Sequence, residues 1–310
     1  MNVLVTGASG FLGRNLLLRA PADWSVTATY RTSADFPRFV SEHCRKGQVE
    51  AIRCDLEISD AVEHFGRIRS TFELCIFLAA NTSVPLSVKE PAIDLKANTL
   101  TVLNVLKSVS IKHFVFLSSG AVYDGIHGAV GPGTPVLPSL PYAISKLASE
   151  LYTRRAQADG KIRSHAIIRF FGAYGPHEPA RKIYSRLVEE LGIQRRGVFK
   201  IYGDGSNLID AMYVEDAIAA LLKVCVGVRP HVTVDLAAGE PISVRDLVSR
   251  AARYFLGREV IVQTEGTAHE AIGFRPDTGP FASMFQFRPK VTLEEGLGRM
   301  LDHRLRVRAC

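Results

Sequence analysis

Residues 3–13, VLVTGASGFLG, constrain the fold of this chain more than any other stretch. A short apolar run ends at Thr6, and Gly7, Gly10 and Gly13 follow at three-residue intervals. The run reads as a buried strand, and Phe11 and Leu12 open a helical pattern among the glycines. Each glycine has a task in such a turn. Gly7 permits the tight bend, Gly10 lets backbone approach a diphosphate, and Gly13 lets the helix pack closely on the strand. The amino end of the helix then faces the phosphates. Strand, glycine loop and helix in that order predict nucleotide binding.

The alternation continues. Apolar runs at 26–30, 49–54, 74–78, 114–117 and 166–170 read as buried strands, with helical patterns at 12–19, 36–44, 60–68, 94–109 and 142–158. This predicts an α/β fold with a Rossmann-type, doubly wound parallel sheet. After Gly172 the rhythm breaks into Gly-, Pro- and charge-rich segments, GAYGPHEPARK and IYGDGSNLID. Helical patterns at 214–226 and 244–255 flank a strand-like VTVDL, and an amphipathic VTLEEGLGRML follows. We read residues 1–172 as the dinucleotide-binding domain, with 210–235 returning to it. Residues 173–209 and 236–310 then form a smaller α/β substrate-binding lobe.

The glycine spacing, T-G-x-x-G-x-x-G, resembles the extended short-chain dehydrogenase/reductase superfamily, in particular its NAD-dependent epimerase/dehydratase members, and the resemblance spans nearly the whole chain. CDLEISD resembles the family's D-L-x-D segment, which implies Asp55 on the adenine amino group and Leu56 on the ring. FLAANTS resembles the alanine-rich segment, which places Ala79 and Ala80 along the cofactor ribose. ANTLTVLNVLKS resembles the helix whose asparagine, here Asn98, steadies the active-site backbone. VFLSSGAVYD resembles S-S-x-x-V-Y-G, with Asp124 in place of the glycine.

In PYAISK, Tyr142 and Lys146 stand four residues apart, on one face of a helix. The resemblance implies Tyr142 as proton donor and acceptor, Lys146 on the ribose hydroxyls, and Ser119 hydrogen-bonded to the reacting oxygen. The chemistry is of the right scale. A free tyrosine titrates near pH ~10, and lowering it by about three units needs roughly 4 kcal/mol. An ammonium about 4 Å away supplies about that much at an effective dielectric near ~20. Lys146 is therefore expected to depress Tyr142.

The second strand ends in TATYRTS. An acidic residue commonly binds the adenosine ribose there, but here Tyr30 and Arg31 stand with Thr32 and Ser33. Arg31 favours the 2′-phosphate of NADP; NAD is the alternative. Family dehydratases carry an acid–base pair directly after the serine, where this chain has Gly120 and Ala121. Hydride chemistry alone remains. The expected reaction is that of an epimerase or 4-ketoreductase, interconverting hydroxyl and ketone on a nucleotide-activated sugar. The family's diphosphate-binding Asn and Arg are replaced by Gly172 and Ile209. Reduction of a small non-nucleotide ketone or aldehyde therefore stays an alternative, as does a non-catalytic dinucleotide-binding regulator. Arg181, Lys182, Arg186, Lys200 and Arg275 are the candidate replacement cations. His177 and Glu178 are candidates for substrate contact or loop solvation, and Asp216 for a helix start favoured by the dipole.

The net charge of +7 suits an anionic ligand, but the basic residues are dispersed, without the stripe that nucleic-acid binding needs. No apolar run approaches membrane-spanning length, and no signal-peptide pattern opens the chain. The five cysteines lack any C-x-x-C, which fits a reducing cytoplasm and argues against a zinc site. Segments 94–109 and 142–158 are apolar on more than one face. The resemblance implies that they pair in a homodimer.

Overall fold

The computed structural model describes residues 1–69, 71–227, 231–266 and 273–309. Cys310 and parts of the segments 210–235 and 236–310 lie outside these. The chain forms two compact units: Met1–Asp124 with Pro132–Phe170 and Ala220–Asp235, and Gly125–Gly131 with Phe171–Ala219 and Leu236–Cys310.

The first unit is built on strands β1 (Asn2–Thr6), β2 (Ser25–Tyr30), β3 (Val49–Arg53), β4 (Thr71–Phe77) and β5 (Ser110–Ser119), with helices α1 (Phe11–Leu17), α2 (Phe36–His43) and α3 (Ser59–Ile68). Strands Ser164–Phe170 and Val232–Leu236 extend the sheet beyond β5 to seven strands, and β4, β1, β2 and β3 continue it in that order on the other side. β1 pairs in parallel with β2 and β4, and β5 in parallel with β4 and Ser164–Phe170. This is the Rossmann-type sheet expected from the alternation. Strand order reverses between β1 and β4, the place where sheets of this kind bind ligands, at the carboxyl ends of the strands. Val3, Leu4 and Val5 are at most 1% exposed, as strands covered on both faces require. Phe72, Phe77, Phe114 and Phe116 pack with Val62 and Phe65 of α3 and with Val102 and Val105.

The single helix expected over 94–109 is divided. Pro91–Leu95 is α-helical, Lys96–Leu100 widens into a π-turn, and Thr101–Ser108 resumes the α-helix. Such turns insert one residue into the ladder and often mark functional positions. Pro91 begins the first piece, where its missing N–H costs nothing. The helix Pro141–Ala158 is continuous over 18 residues.

The second unit has its own core of Tyr174, Tyr184, Leu187, Leu191, Phe199, Leu247 and Phe255. Its strands form short pairs, Val198–Tyr202 with Ile261–Glu265 and His127–Val130 with Gly273–Pro276. Asp216 does more than start a helix: its carboxylate accepts from the backbone N–H groups of Lys290 and Val291 at 2.8 and 2.9 Å. No described helix is long and apolar enough to cross a membrane.

Candidate active site

The glycine loop follows β1 at the strand-order reversal. Gly7 has φ +63°, and a Cβ there would lie 2.7 Å from the Ala79 backbone nitrogen. Its freedom therefore serves both the turn and the passage of the chain after β4. A Cβ on Gly13 would lie 2.5 Å from the Ala8 carbonyl oxygen, so at this residue α1 lies tight against the loop backbone. Gly10 is the residue before α1 and offers no side-chain cap. The first-turn N–H groups, from Phe11 onward, are thus left to an acceptor from outside the helix, as a diphosphate would be. The residues present fit a dinucleotide. Ala79 follows β4 and donates its N–H to Thr6 Oγ1 at 3.3 Å, and Ala80 is half-buried beside it.

At the adenosine end the structure qualifies two expectations. Asp55 Oδ1 accepts from the Glu57 N–H at 3.0 Å, and Leu56 is only 7% exposed in the core. Arg31 is ion-paired with Glu57, and Lys96 approaches the same carboxylate at 3.9 Å.

Ser119 ends β5, and its Oγ accepts from the Ala121 N–H at 3.1 Å, capping the short turn Gly120–Tyr123. Its side chain also acts on Tyr142, favouring the ionised form. Tyr142 and Lys146 lie on the first turns of Pro141–Ala158. Asp124, in place of the family glycine, accepts from Ser139 N–H and Oγ and from Leu140 N–H at 2.8–3.0 Å, which fixes the entry into that helix. Asn98, in the π-turn, accepts from the Asn81 N–H at 2.8 Å and donates to Ser145 Oγ at 2.9 Å. The structure therefore brings Ser119, Tyr142, Lys146 and Asn98 together.

Lys146 is 3% exposed; its Nζ donates to the Leu117 carbonyl at 2.5 Å and lies 4.3 Å from the centre of the Phe116 ring. Burial pulls its pKa down to about 7, against the opposing pull of Glu150 and Asp94. Tyr142 is shifted the other way from expectation. Burial raises it, and the neighbouring Ser119 side chain offsets only part. A lysine whose pKa has fallen to about 7 is only partly charged near neutrality and depresses its neighbour less. The expected tuning of Tyr142 by Lys146 is not a property of the chain alone.

Sequence reading missed Glu150, Arg169, Tyr123 and Asp235, which form one buried polar chain beside Ser118. Two signals pointed to it. Glu150 is one helical turn after Lys146, and Arg169 interrupts the apolar run IIRFF. A charge inside a buried strand must be paired.

In the second unit, Glu178 is neither loop-solvated nor exposed. It is 7% exposed, accepts from Ser185 N–H and Oγ at 2.8 Å, and burial lifts its pKa to about 7. Of the candidate cations, Arg186 pairs with Glu190 and Lys200 with Glu265. A hollow of about 270 Å³ lined by Asn2, Thr27, Gln48, Glu50 and Arg69 lies at the amino ends of the strands, away from the glycine loop.

Fold and site together define a Rossmann-type dinucleotide-binding protein with an extended short-chain dehydrogenase/reductase arrangement. The chain belongs to the NAD-dependent epimerase/dehydratase family, whose model matches residues 3–233, and is an enzyme of that type. A dTDP-glucose 4,6-dehydratase of Streptomyces antibioticus is 27% identical over 318 residues, covering 97% of this chain and 92% of the relative. A UDP-glucose 4-epimerase of Mycolicibacterium smegmatis is 28% identical over 231 residues, 72% of each chain. The structure of MoeE5 in complex with UDP-glucose and NAD superposes with a TM-score of 0.83 at 25% identity, covering 99% of both chains.

Proposed function

We propose that this enzyme interconverts a hydroxyl and a ketone at carbon 4 of a nucleotide-activated sugar, as an epimerase or 4-ketoreductase, with Tyr142 as the acid and base. The observation that carries this reading is the Ser119–Tyr142–Lys146 constellation beside a glycine loop at the strand-order reversal. Gly7, Gly10, Phe11, Leu12 and Gly13 hold the diphosphate, Ala79 and Ala80 flank the ribose, and Asp55 and Leu56 take the adenine. Bound there, a nicotinamide dinucleotide supplies the hydride acceptor and donor. Tyr142 takes the hydroxyl proton during oxidation and returns it during reduction, while Ser119 orients the reacting oxygen. Lys146 holds the ribose and, when protonated, stabilises the tyrosinate.

Dehydration is disfavoured although a similar protein bears that name. The capped turn after Ser119 presents Gly120 and Ala121, which offer neither acid nor base. For the cofactor we place NAD before NADP. Glu57 already takes the Arg31 guanidinium, and a 2′-phosphate would have to displace that carboxylate. The related MoeE5 structure holds NAD. The first unit is the cofactor domain and the second takes the sugar nucleotide. The enzyme acts in the cytoplasm as a homodimer; the free state of Cys44, Cys54, Cys75 and Cys225 suits a reducing compartment.

The test is to release and weigh the bound nucleotide, then follow UDP- and dTDP-hexoses by NMR. Stoichiometric NAD with 4-epimer formation supports the epimerase, and net reduction of a 4-keto sugar with exchangeable cofactor supports the reductase. Turnover of small ketones alone would replace the sugar-nucleotide reading.

A further inference from the structure

Asp94 has no part in the function proposed above, yet it is fully buried next to that site. Its Oδ1 accepts from Asn81 Nδ2 at 2.6 Å and Asn98 Nδ2 at 2.9 Å. Its Oδ2 accepts from Ser145 Oγ at 2.6 Å. Ser145 stands between Tyr142 and Lys146 in the same helical turn, and its hydroxyl also lies 2.9 Å from the Tyr142 carbonyl. The carboxylate therefore grips the turn that carries both candidate groups.

Its charge has a distinctive setting. The groups that touch Lys146 are the Leu117 carbonyl and Phe116 ring from β5, and the charges that act on it are Glu150, one turn along its own helix, and Asp94, from the segment Pro91–Leu95. Tyr142 shares its face of the helix. Only two of these groups are carboxylates, and they differ. Glu150 is clasped by Arg169 through two bonds of 2.9 and 3.0 Å, with Arg154 at 3.6 Å. The bonding partners of Asp94 among the described residues are two amides and a hydroxyl, all neutral. A buried negative charge met only by neutral donors keeps its field, which favours the charged form of Lys146 and opposes that of Tyr142.

We propose that Asp94 is a positioning residue that keeps Lys146 protonated and holds the Tyr142–Lys146 turn in register through Ser145. The role of Lys146 in cofactor binding is taken from the function proposed above; the residue pairing is not.

The experiment measures NADH binding by fluorescence from pH 6 to 9 (a range around ~7) in the wild type and in Asp94→Asn, which keeps the shape and removes the charge. Loss of the Lys146 proton weakens the grip on the ribose, so affinity falls on the alkaline side. In Asp94→Asn that fall is expected about one pH unit lower, the small end of what a nearby opposite charge does. Asp94→Glu is expected to restore the wild-type midpoint. A folded Asp94→Asn with an unmoved midpoint overturns the proposal. If Asp94→Asn does not fold, Ser145→Ala decides: it cuts the tie and keeps the charge. Weaker binding with an unmoved midpoint supports the proposal, and a midpoint that moves by a full unit overturns it. NADH binding needs no knowledge of the sugar, so failure of every sugar nucleotide would defeat the function proposed above and leave this result standing. A wild type that binds no NADH defeats both.

Discussion

Arg169 and Glu150 face each other in the interior of the first unit, joined by Nε to Oε1 at 3.0 Å and Nη2 to Oε2 at 2.9 Å. Arg169 lies in the strand Ser164–Phe170 and Glu150 in the helix of Tyr142 and Lys146. Ser118 donates to Glu150 Oε1 at 2.6 Å, directly before Ser119 in the chain. Arg169 Nη1 reaches Tyr123 Oη at 2.9 Å, and that hydroxyl binds both oxygens of Asp235. The pair thus ties together β5, its neighbouring strand and the Tyr142 helix, which carry the candidate site residues.

Breaking one half of this pair leaves a buried charge alone. Arg169→Met is expected to cost about 3–5 kcal/mol. Replacing Arg169 and Glu150 together by apolar residues is expected to cost less than the sum of the two single changes, because neither member of the pair is then left without the other. Urea unfolding of the single and double variants checks this, and a double variant as unstable as the sum of the singles would contradict it.

The sheet was legible because its strands are continuous apolar runs and its first loop needs glycine at fixed places. Gly7 could be placed because its turn needs glycine, and Tyr142 and Lys146 on one helix face because of their spacing, whereas Ser119 and the roles of all three came from the family resemblance. Three things were less legible. The short pair His127–Val130 with Gly273–Pro276 has no apolar period to announce it, since long-range pairing supplies the order. The π-turn at Lys96–Leu100 depends on Asn98 bonding to Asn81 and Ser145, which are distant in sequence. The direction of the Tyr142 shift depends on burial, whereas charge spacing alone suggested the opposite.

Lys146 gives stability a pH signature. Its folded pKa, near 7, is below that of a free lysine, so between those values the unfolded chain binds the extra proton. Stability therefore gains as pH rises from 7 towards about 10.5, and the cost of burying the ammonium is fully present below 7. Lys146→Met removes that cost. Its melting temperature relative to wild type is expected to be highest near pH ~6 and to converge as pH rises. A constant difference across the range would show that this titration is not coupled to folding.

Tyr142→Phe keeps the ring and removes the proton. Turnover is expected to fall by about 10²–10⁴, with NAD affinity changed by less than about threefold. Full activity would remove Tyr142 from the reaction.

Arg31 separates the two cofactors. Because Glu57 holds its guanidinium, Arg31→Ala is expected to change NADH and NADPH affinity by the same factor. Isothermal titration with both decides, and a selective loss of NADPH beyond about tenfold would make Arg31 a 2′-phosphate ligand and restore the NADP preference.

The helices that carry the site also bear an uncovered apolar face. Ile93 and Leu95 are both 50% exposed, Ile144 is 47% exposed and Leu151 55% exposed, while Val102, Val105 and Ala143 on their other sides are buried. Exposed apolar patches on helices otherwise packed in a core mark association surfaces, and a two-fold axis would cover both copies at once. Light scattering at micromolar concentration is expected to give twice the chain mass. Leu95→Glu with Leu151→Glu is expected to halve that mass while leaving NADH binding within about threefold, since neither residue belongs to the cofactor site. A wild-type monomer would refute the dimer, and a double variant that stays dimeric would move the interface to another face.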